Sequence, residues 1–280
     1  MNHSTRAPVS FRWLGVAGLE IASAGRTLLV DPYVTRLSLL RLWFGRAESN
    51  RALVQQTIGQ ADFVLVTHAH LDHLLDVPEV LRQTGAVALG SANVCRLLTA
   101  SRVLAEQTRE IKAGDRLTLG NFSVDVLPAE HVTVLGRPVL AGPLPASLPS
   151  PPRARDYRMD ACFSFLVETG GYRILDWTSE RAWPAPPADV LFVKAGQSDA
   201  YYRPLLATVQ PHLVVPVHWD DFCRPLSRPP RPQLLPPSWA WPPLRRVDLA
   251  GFSCCLEQLA PGTRVLLPDA LQAYNLGGLL

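Results

Sequence analysis

Three histidines and one aspartate fall within six residues of this chain, in the stretch Thr67-His68-Ala69-His70-Leu71-Asp72-His73. The apolar run Asp62-Phe63-Val64-Leu65-Val66 stands directly before it and has the composition of a buried strand. Imidazole and carboxylate groups packed this densely at the mouth of a buried strand are costly unless a positive charge organises them, and a divalent metal ion does so. The motif therefore predicts a metal site, and we interpret the chain as a metal-dependent hydrolase.

Three further side chains of the metal-binding type each follow another predicted strand. They are His131, Asp176 and His218, and the strands before them cover residues 122–127, 172–175 and 213–217. Because the ends of neighbouring parallel strands meet on one rim of a sheet, side chains that are distant in sequence converge there. We therefore predict one metal site built from His68, His70, Asp72, His73, His131, Asp176 and His218.

The two remaining histidines are expected to lie outside the site. His3 belongs to a polar terminus, and His212 begins the strand that His218 ends. The extended chain between the two ends of that strand spans roughly 20 Å, which is too far for a shared ligand set. Two predicted ligands also have plainer interpretations, since His131 could be an ordinary loop residue and Asp176 a turn residue or helix cap.

Strands outnumber helices early in each half of the chain, and each half closes with alternating helix and strand. The predicted strands cover residues 11–14, 19–23, 27–30, 62–66, 86–89, 109–119, 122–127, 162–168, 172–175, 190–193 and 213–217. The predicted helices cover residues 77–84, 199–209 and the segment from the capping Ser91 to about Ala100. This order predicts two similar α/β halves whose sheets face each other with the helices outside, in one domain over residues 1–280.

Two proline-dense segments interrupt this pattern, at about residues 138–152 and 225–243. Proline lacks a backbone donor and fixes φ, so neither segment is expected to form a regular helix or strand. The first segment follows His131 and the second follows His218. We therefore predict surface loops that form walls or lids over the site.

Composition argues against several classes of protein. The net charge is +3, Lys112 and Lys194 are the only lysines, and the arginines are scattered, so no nucleic-acid surface is expected. Five cysteines without a C-x-x-C pair argue against a disulfide framework and a thiolate zinc site. The amino terminus lacks the features of a secretory signal, and no apolar stretch is long enough to span a bilayer, so we expect a soluble, cytoplasmic protein.

The pattern H-x-H-x-D-H at residues 68–73 resembles the motif of the metallo-β-lactamase superfamily, and His131, Asp176 and His218 follow in the matching order. The resemblance implies a four-layer αββα sandwich, in which two mixed sheets face each other with helices outside. It also implies two ligand sets, one of His68, His70 and His131 and the other of Asp72, His73 and His218. Asp176 would bridge the two ions.

Two phrases near the amino terminus resemble one branch of this superfamily. The segments Trp13-Leu14-Gly15-Val16-Ala17-Gly18 and Leu29-Val30-Asp31-Pro32 look like those of ascorbate-6-phosphate lactonases and N-acylphosphatidylethanolamine phospholipase D. Val16 stands where this branch often has a histidine, and Asp176 precedes Trp177 instead of following a glycine. The resemblance implies a small-molecule or lipid-like substrate, such as a phosphorylated lactone or a phospholipid-like diester.

Such a site would supply its own nucleophile. Two divalent ions roughly 3.5 to 4 Å apart can share a water and lower its pKa toward about 7. The resulting hydroxide would attack an ester, lactone or phosphodiester bond, while Asp72 could orient it and shuttle a proton. Histidine and aspartate ligands suit zinc, which we expect, and also manganese and iron.

Two other classes of function fit the same residues. A mononuclear iron thiol-dioxygenase would be distinguished by its iron content and by oxygen uptake with a persulfide. Diiron reductases usually carry glutamate where this chain has His70, and they need a flavin partner domain that this sequence does not show. A non-catalytic binding scaffold usually loses metal ligands, and none is missing here.

Some apolar and aromatic residues permit two interpretations. The segment at residues 37–44, Leu-Ser-Leu-Leu-Arg-Leu-Trp-Phe, could contact lipid or an acyl chain, which would bring peripheral membrane contact, or it could pack under a loop. Trp239 and Trp241 in the second proline-dense segment have the same two interpretations. Tyr201 and Tyr202 could face the pocket or belong to the core.

Polar residues beside the predicted ligands complete the list of candidates. Asp220 and Asp221 follow His218 closely, and we interpret both as hydrogen-bond partners of an imidazole. Residues 155–158, Arg-Asp-Tyr-Arg, are candidate substrate contacts. Cys223 is the one cysteine expected near the chemistry.

Overall fold

The computed structural model describes residues 7–44, 47–134, 136–182, 184–234 and 245–280. Trp239, Trp241 and the end of the second proline-dense segment lie outside the described residues. The strands are β1 Val9–Gly15, β2 Gly18–Ser23, β3 Arg26–Val30, β4 Phe63–Leu65, β5 Val87–Gly90, β6 Thr108–Glu110, β7 Arg116–Leu119, β8 Phe122–Pro128, β9 Thr133–Val134, β10 Arg137–Pro138, β11 Phe163–Thr169, β12 Tyr172–Trp177, β13 Val190–Lys194, β14 Leu213–Val217, β15 Arg264–Val265 and β16 Ala273–Asn275. The helices are α1 Leu39–Phe44, α2 Arg51–Thr57, α3 Leu71–Leu74, α4 Val77–Thr84, α5 Ala92–Ala100, α6 Asp199–Val209 and α7 Leu249–Leu259.

Two mixed sheets of seven strands each form the centre of the described structure. The first has the order β16-β1-β2-β3-β4-β5-β6, and the second has the order β15-β14-β13-β12-β11-β8-β7. Each sheet changes from antiparallel to parallel pairing in its middle, at β3 in the first sheet and at β12 in the second. The two halves therefore repeat one topology, which confirms the predicted αββα sandwich.

Apolar side chains from both sheets meet in one core. Phe11 of β1 and Phe192 of β13 pack edge to face with their ring centroids 5.1 Å apart, and both rings are buried. The outer face of the first sheet packs on helices α2 to α5 through a second apolar cluster, which includes Val64 and Leu97. Strand β14 is buried along its whole length, as expected for a parallel strand that is covered on both faces.

Helix boundaries follow the capping signals in the sequence. Helix α4 spans Val77–Thr84 as predicted, with proline in its first turn and Gly85 in the left-handed conformation after its end. The Ser91 side chain caps α5 by accepting from the backbone of Val94. Helix α6 also matches its predicted range.

One predicted strand was wrong. Residues 109–119 do not form a single strand paired with residues 122–127, because β6 joins the first sheet beside β5 and only β7 pairs with β8 in the second sheet. The chain crosses between the sheets at Gly114, whose φ is +95°. The Asp115 carboxylate closes this turn by accepting from the backbone of Lys112 at 2.9 Å. A glycine followed by aspartate is a turn signal that outweighs the surrounding alternation.

The first proline-dense segment contacts helix α5 and has no regular structure of its own, and the Arg96 side chain donates to the carbonyls of Leu144 and Pro145 at 3.3 and 2.6 Å. Its first residue, Pro138, ends β10, and residues 139–152 contain neither helix nor strand.

None of the described helices combines the length and the apolar character needed to cross a membrane.

We expect Phe11→Ala to lower the free energy of unfolding by about 3–5 kcal/mol, because it leaves a cavity between the two sheets. Urea denaturation followed by tryptophan fluorescence would measure this difference. Leu104→Ala, at a side chain that is 58% exposed, is the matched control and should stay within about 0.5 kcal/mol of the parent. Equal losses in both variants would contradict the assignment of Phe11 to the inter-sheet core.

Candidate metal centre

The histidine motif lies where β4 ends and helix α3 begins. His70 occupies the N-cap position of α3, so Asp72 and His73 fall in the first turn of the helix while His68 stays on the strand side. The buried Leu71 and Leu74 anchor this short helix in the apolar cluster beneath the first sheet. The change from strand to helix within the motif therefore directs its four polar side chains into two groups.

The first group combines His68 and His70 with His131, which the end of β8 delivers from the second sheet. One ring nitrogen from each of the three imidazoles lies within 4.8 Å of the others. His68 Nε2 and His70 Nδ1 are 3.0 Å apart, and the ring centroids of His68 and His131 are 4.8 Å apart. Three imidazoles with converging nitrogen atoms are a typical ligand set for a divalent transition metal.

The second group combines Asp72 and His73 with His218, which follows β14. Asp72 Oδ2 lies 3.5 Å from Nε2 of His73 and 3.5 Å from Nε2 of His218. The three ligand atoms of this second group also lie within 4.8 Å of one another. Both groups thus draw residues from both halves of the chain.

Asp176 is the seventh predicted ligand and lies outside these two groups. Its side chain is buried in β12, and neither carboxylate oxygen has a hydrogen-bond partner among the described residues. Burial, together with the charge of Asp31, raises the pKa of Asp176 well above its ordinary value. A buried carboxylate without a partner is costly, so this position fits a bound cation better than a structural role.

Asp31 was not among the predicted ligands, but its carboxylate contacts one of them. It is fully buried after β3, and its carboxylate accepts from the His73 ring at 2.7 Å. The same carboxylate accepts from the backbone of Thr67 at 2.8 Å and from its hydroxyl at 2.5 Å. Because Nδ1 of His73 is occupied in this way, Nε2 is the nitrogen left facing the second group. The sequence signal that could have identified Asp31 is an aspartate at the end of the strand beside the one that precedes the motif.

Asp220 and Asp221 do not contact an imidazole, so their predicted role was wrong. Asp220 forms an ion pair with Arg36 at 2.9 Å, and Asp221 forms one with Arg231 at 2.7 Å. The backbone at His218 has a φ of +54°, and this left-handed turn redirects the chain that follows it. The aspartate that does contact an imidazole is Asp31, from the first half of the chain, and the imidazole is that of His73.

Burial and neighbouring charges shift the pKa values of the predicted ligands in opposite directions. Burial and the neighbouring rings lower the pKa of His68 well below its ordinary value, so its ring is neutral. Burial also opposes charge on His73, but Asp72 and Asp31 outweigh it and raise the pKa of that ring to about 9. Burial would raise the pKa of Asp72, but His73 and His218 lower it. A neutral His68 ring and an ionised Asp72 carboxylate are the protonation states that bind metal, and the His73 ring would release a proton when an ion binds.

A cavity of about 670 Å³ opens over the two groups. Its walls outside the predicted ligands are mostly apolar, formed by Ala17, Leu42, Leu71, Val132, Val139, Leu140, Ala154, Tyr157, Trp177, Val217 and Phe222. Four polar side chains complete the lining, and they are Arg155, Thr178, Glu180 and Lys194. The first proline-dense segment supplies Leu140, so it forms part of the wall.

Other candidate residues lie elsewhere. Tyr201 and Tyr202 belong to the core, where their hydroxyls donate to the backbone of Ser179 and Lys194 at 2.6 and 2.9 Å. Cys223 does not line the cavity, and burial raises the pKa of its thiol to about 11. These three side chains are therefore not positioned to react.

The segment at residues 37–44 divides its apolar side chains between two environments. Leu37 is buried and Leu42 lines the cavity, whereas Leu39 and Leu40 are 60% and 74% exposed. The segment is therefore neither wholly packing nor wholly surface.

Residues 26–219 match the protein family described as the beta-lactamase superfamily domain. The chain belongs to the metallo-β-lactamase superfamily. This membership confirms the resemblance drawn from the motif at residues 68–73.

Known proteins resemble the chain over most of its length. A UPF0173 metal-dependent hydrolase of Carboxydothermus hydrogenoformans is 25% identical over 223 residues, which cover 75% of this chain and 84% of the relative. The structure of Igni18, a metallo hydrolase from the archaeon Ignicoccus hospitalis, aligns with a TM-score of 0.62 at 16% identity, over 96% of this chain and 98% of that one. CmlA, a diiron beta-hydroxylase from Streptomyces venezuelae, aligns with a TM-score of 0.57 at 15% identity, over 96% of this chain and 54% of that one. These structural likenesses concern the fold alone.

We expect Asp31→Asn to weaken metal binding by about 10–100-fold, because the amide cannot hold the His73 ring as the carboxylate does. Competition with a chromophoric chelator would measure the affinity. Asp62→Asn is the matched control, since Asp62 also accepts from a backbone amide, that of Thr27 at 2.8 Å, but at the opposite end of β4. An unchanged affinity in Asp31→Asn would show that this carboxylate does not support the site.

Proposed function

We propose that this superfamily member is a metal-dependent hydrolase with a two-ion centre. The observation that carries the proposal is the presence of two complete groups of ligand atoms, each within 4.8 Å, at the floor of one cavity. The relatives that match the chain at the sequence level are named metal-dependent hydrolases. The unpartnered carboxylate of Asp176 gives independent support for bound cations.

Each residue of the cluster has a proposed place. His68, His70 and His131 would hold one ion, Asp72, His73 and His218 would hold the other, and Asp176 would bridge them. Zinc suits these ligands, as do manganese and iron. Six of these residues lie in the two groups described above, at positions that the two sheets and helix α3 fix, so these ligands would be positioned before any ion binds.

The chemistry divides between the ions and the chain. Bound divalent ions would polarise the oxygen under attack and lower the pKa of a shared water toward about 7. Asp72 lines the cavity, and its carboxylate would orient the nucleophile and accept its proton. The Lys194 ammonium, 2.6 Å from Glu180 Oε1, adds a fixed polar pair to one wall. Apolar walls would limit the access of bulk water to the reacting bond.

The cavity supports a substrate with an apolar portion attached to an ester, lactone or phosphodiester. Leu42, Leu140 and Phe222 line it, and Arg155 supplies a cationic side chain that could meet an anionic group. The exposed Leu39 and Leu40 lie on the segment that contributes Leu42, which favours a lipid-like substrate and peripheral membrane contact. We extend the proposal to the ascorbate-6-phosphate lactonase and N-acylphosphatidylethanolamine phospholipase D branch and to a cytoplasmic location.

The second ligand group distinguishes this proposal from its alternatives. A mononuclear iron thiol-dioxygenase would not need Asp72, His73 and His218 to converge. A binding scaffold would not need a buried, unpartnered Asp176. The fold is shared with a protein named as a diiron hydroxylase, so the reaction itself has to be tested directly.

Removal of metal should abolish hydrolysis, and two equivalents of zinc per chain should restore it. A panel of chromogenic ester, lactone and phosphodiester substrates would reveal the activity, and elemental analysis would give the stoichiometry. His131→Ala should lower kcat/KM at least about 100-fold, as expected when a metal ligand is lost. His212→Ala is the control, since this exposed histidine lies at the far end of β14. Full activity in metal-free protein would exclude the proposed function.

Substrates with longer apolar chains should be cleaved with higher kcat/KM until the cavity is filled. Burial of one methylene contributes about 0.8 kcal/mol, which corresponds to about fourfold per carbon. A series of chromogenic esters with acyl chains of increasing length would measure this slope. Leu140→Asp should flatten it, and Leu104→Asp, far from the cavity lining, should not. A flat slope in the parent protein would contradict an apolar substrate portion.

A further inference from the structure

The backbone of His218 is held in an unfavourable conformation. Its φ of +54° lies in the left-handed region, which residues other than glycine seldom adopt. The Nδ1 atom of its ring is buried and has no hydrogen-bond partner among the described residues. His73 differs, because Asp31 orients its ring directly. The position of the His218 ring must therefore be fixed mainly through its backbone.

Two hydrogen bonds hold this backbone from opposite sides. The His218 amide donates to the carbonyl of Val16 at 2.7 Å, and the Gln233 side chain donates to the His218 carbonyl at 2.7 Å. Val16 belongs to the turn between β1 and β2 and has a φ of +48°. Its carbonyl also accepts from the Trp13 indole at 3.0 Å. The His218 turn is thus attached to a second strained turn in the other half of the chain.

A buried ion pair joins the same two turns. Asp220 Oδ1 accepts from the Val16 amide at 2.9 Å, and Asp220 Oδ2 lies 2.9 Å from Nη2 of Arg36. The side chains of Arg36 and Asp220 are 0% and 3% exposed. Arg36 also donates to the carbonyl of Asp221 at 3.1 Å. One guanidinium therefore contacts both residues that follow Trp219.

The guanidinium of Arg36 packs closely against Gly15, the last residue of β1. A Cβ atom on Gly15 would lie 1.8 Å from Arg36 Nη2, so only glycine permits the contact at that position. The indole rings of Trp13 and Trp219 stack at 5.1 Å and complete the packing of the two turns. Burial of an ion pair is costly and seldom adds stability on its own. Because this ion pair is costly to bury, we infer that it serves to fix the geometry of the two turns.

We propose that the Arg36–Asp220 ion pair is a positioning element that holds His218 over Asp72 and His73, and thereby builds the second of the two metal sites. The inference rests on the proposed two-ion function. The contacts described above run from Arg36 through Asp220 and Val16 to the His218 amide. Among the described residues, the first group, His68, His70 and His131, forms no hydrogen bond with this chain of interactions. Loss of the pair should therefore affect the second ion selectively.

The test is a measurement of metal stoichiometry in purified full-length variants. Asp220→Asn keeps an acceptor for Val16 but removes the charge, and Arg36→Met with Asp220→Asn removes both charges so that neither is left buried and unpaired. After dialysis against buffered zinc, both variants should keep one ion per chain, with the affinity for the second lowered at least about tenfold. Cobalt(II) absorption would report the environment of the ion that remains. Circular dichroism and thermal melting would establish that the variants fold.

Arg231→Met is the matched control, because Arg231 pairs with the neighbouring Asp221 on the surface. It should keep both ions. Folded variants that bind the second ion with the parent's affinity, or that lose both ions in parallel, would overturn the positioning role. A parent protein that binds fewer than two ions would refute the proposed function itself, and this inference with it.

Discussion

A single buried carboxylate connects the fold to the site. Asp31 ends β3, accepts two hydrogen bonds from Thr67 at the end of β4, and holds the His73 ring at 2.7 Å. The strand ends and the imidazole therefore cannot move independently. The backbone of Asp31 has a φ of +44°, in the left-handed region, at the point where the first sheet meets the candidate metal centre. The second group of ligands forms because this contact occupies one nitrogen of His73 and leaves the other facing Asp72.

The fold was predictable to the extent that local patterns agree with tertiary packing. The first three strands, helix α4, strands β11 and β12 on either side of Gly170 and strand β14 all lie at their predicted positions, since each combines an apolar period with a clear end signal. The failure at residues 109–119 has the opposite cause, because alternation continues across a turn that changes sheets. The predicted strands and helices also omitted α7 and β16, and the latter returns to the edge of the first sheet beside β1. The three residues of β16 carry no local pattern that would indicate this long-range pairing.

The candidate site was predictable as a set of residues but not as a set of contacts. Strand ends identified the seven side chains, and the structure brings six of them into two groups. The supporting contacts depend on tertiary neighbours that sequence spacing does not reveal. Asp31 contacts His73 from the end of the neighbouring strand, and Asp220 pairs with Arg36 instead of an imidazole. A carboxylate close in sequence to a ligand is thus a poor guide to which carboxylate supports it.

The division of each ligand group between the two halves has a further consequence. His131, Asp176 and His218 come from the second half of the chain, whereas the motif residues come from the first. An ion held by both halves would act as a non-covalent cross-link between the sheets. Its stabilisation would grow with the logarithm of the free ion concentration, because the unfolded chain lacks a preformed site. Under the proposed function, resistance to heat in this molecule would therefore be coupled to the supply of metal in its surroundings.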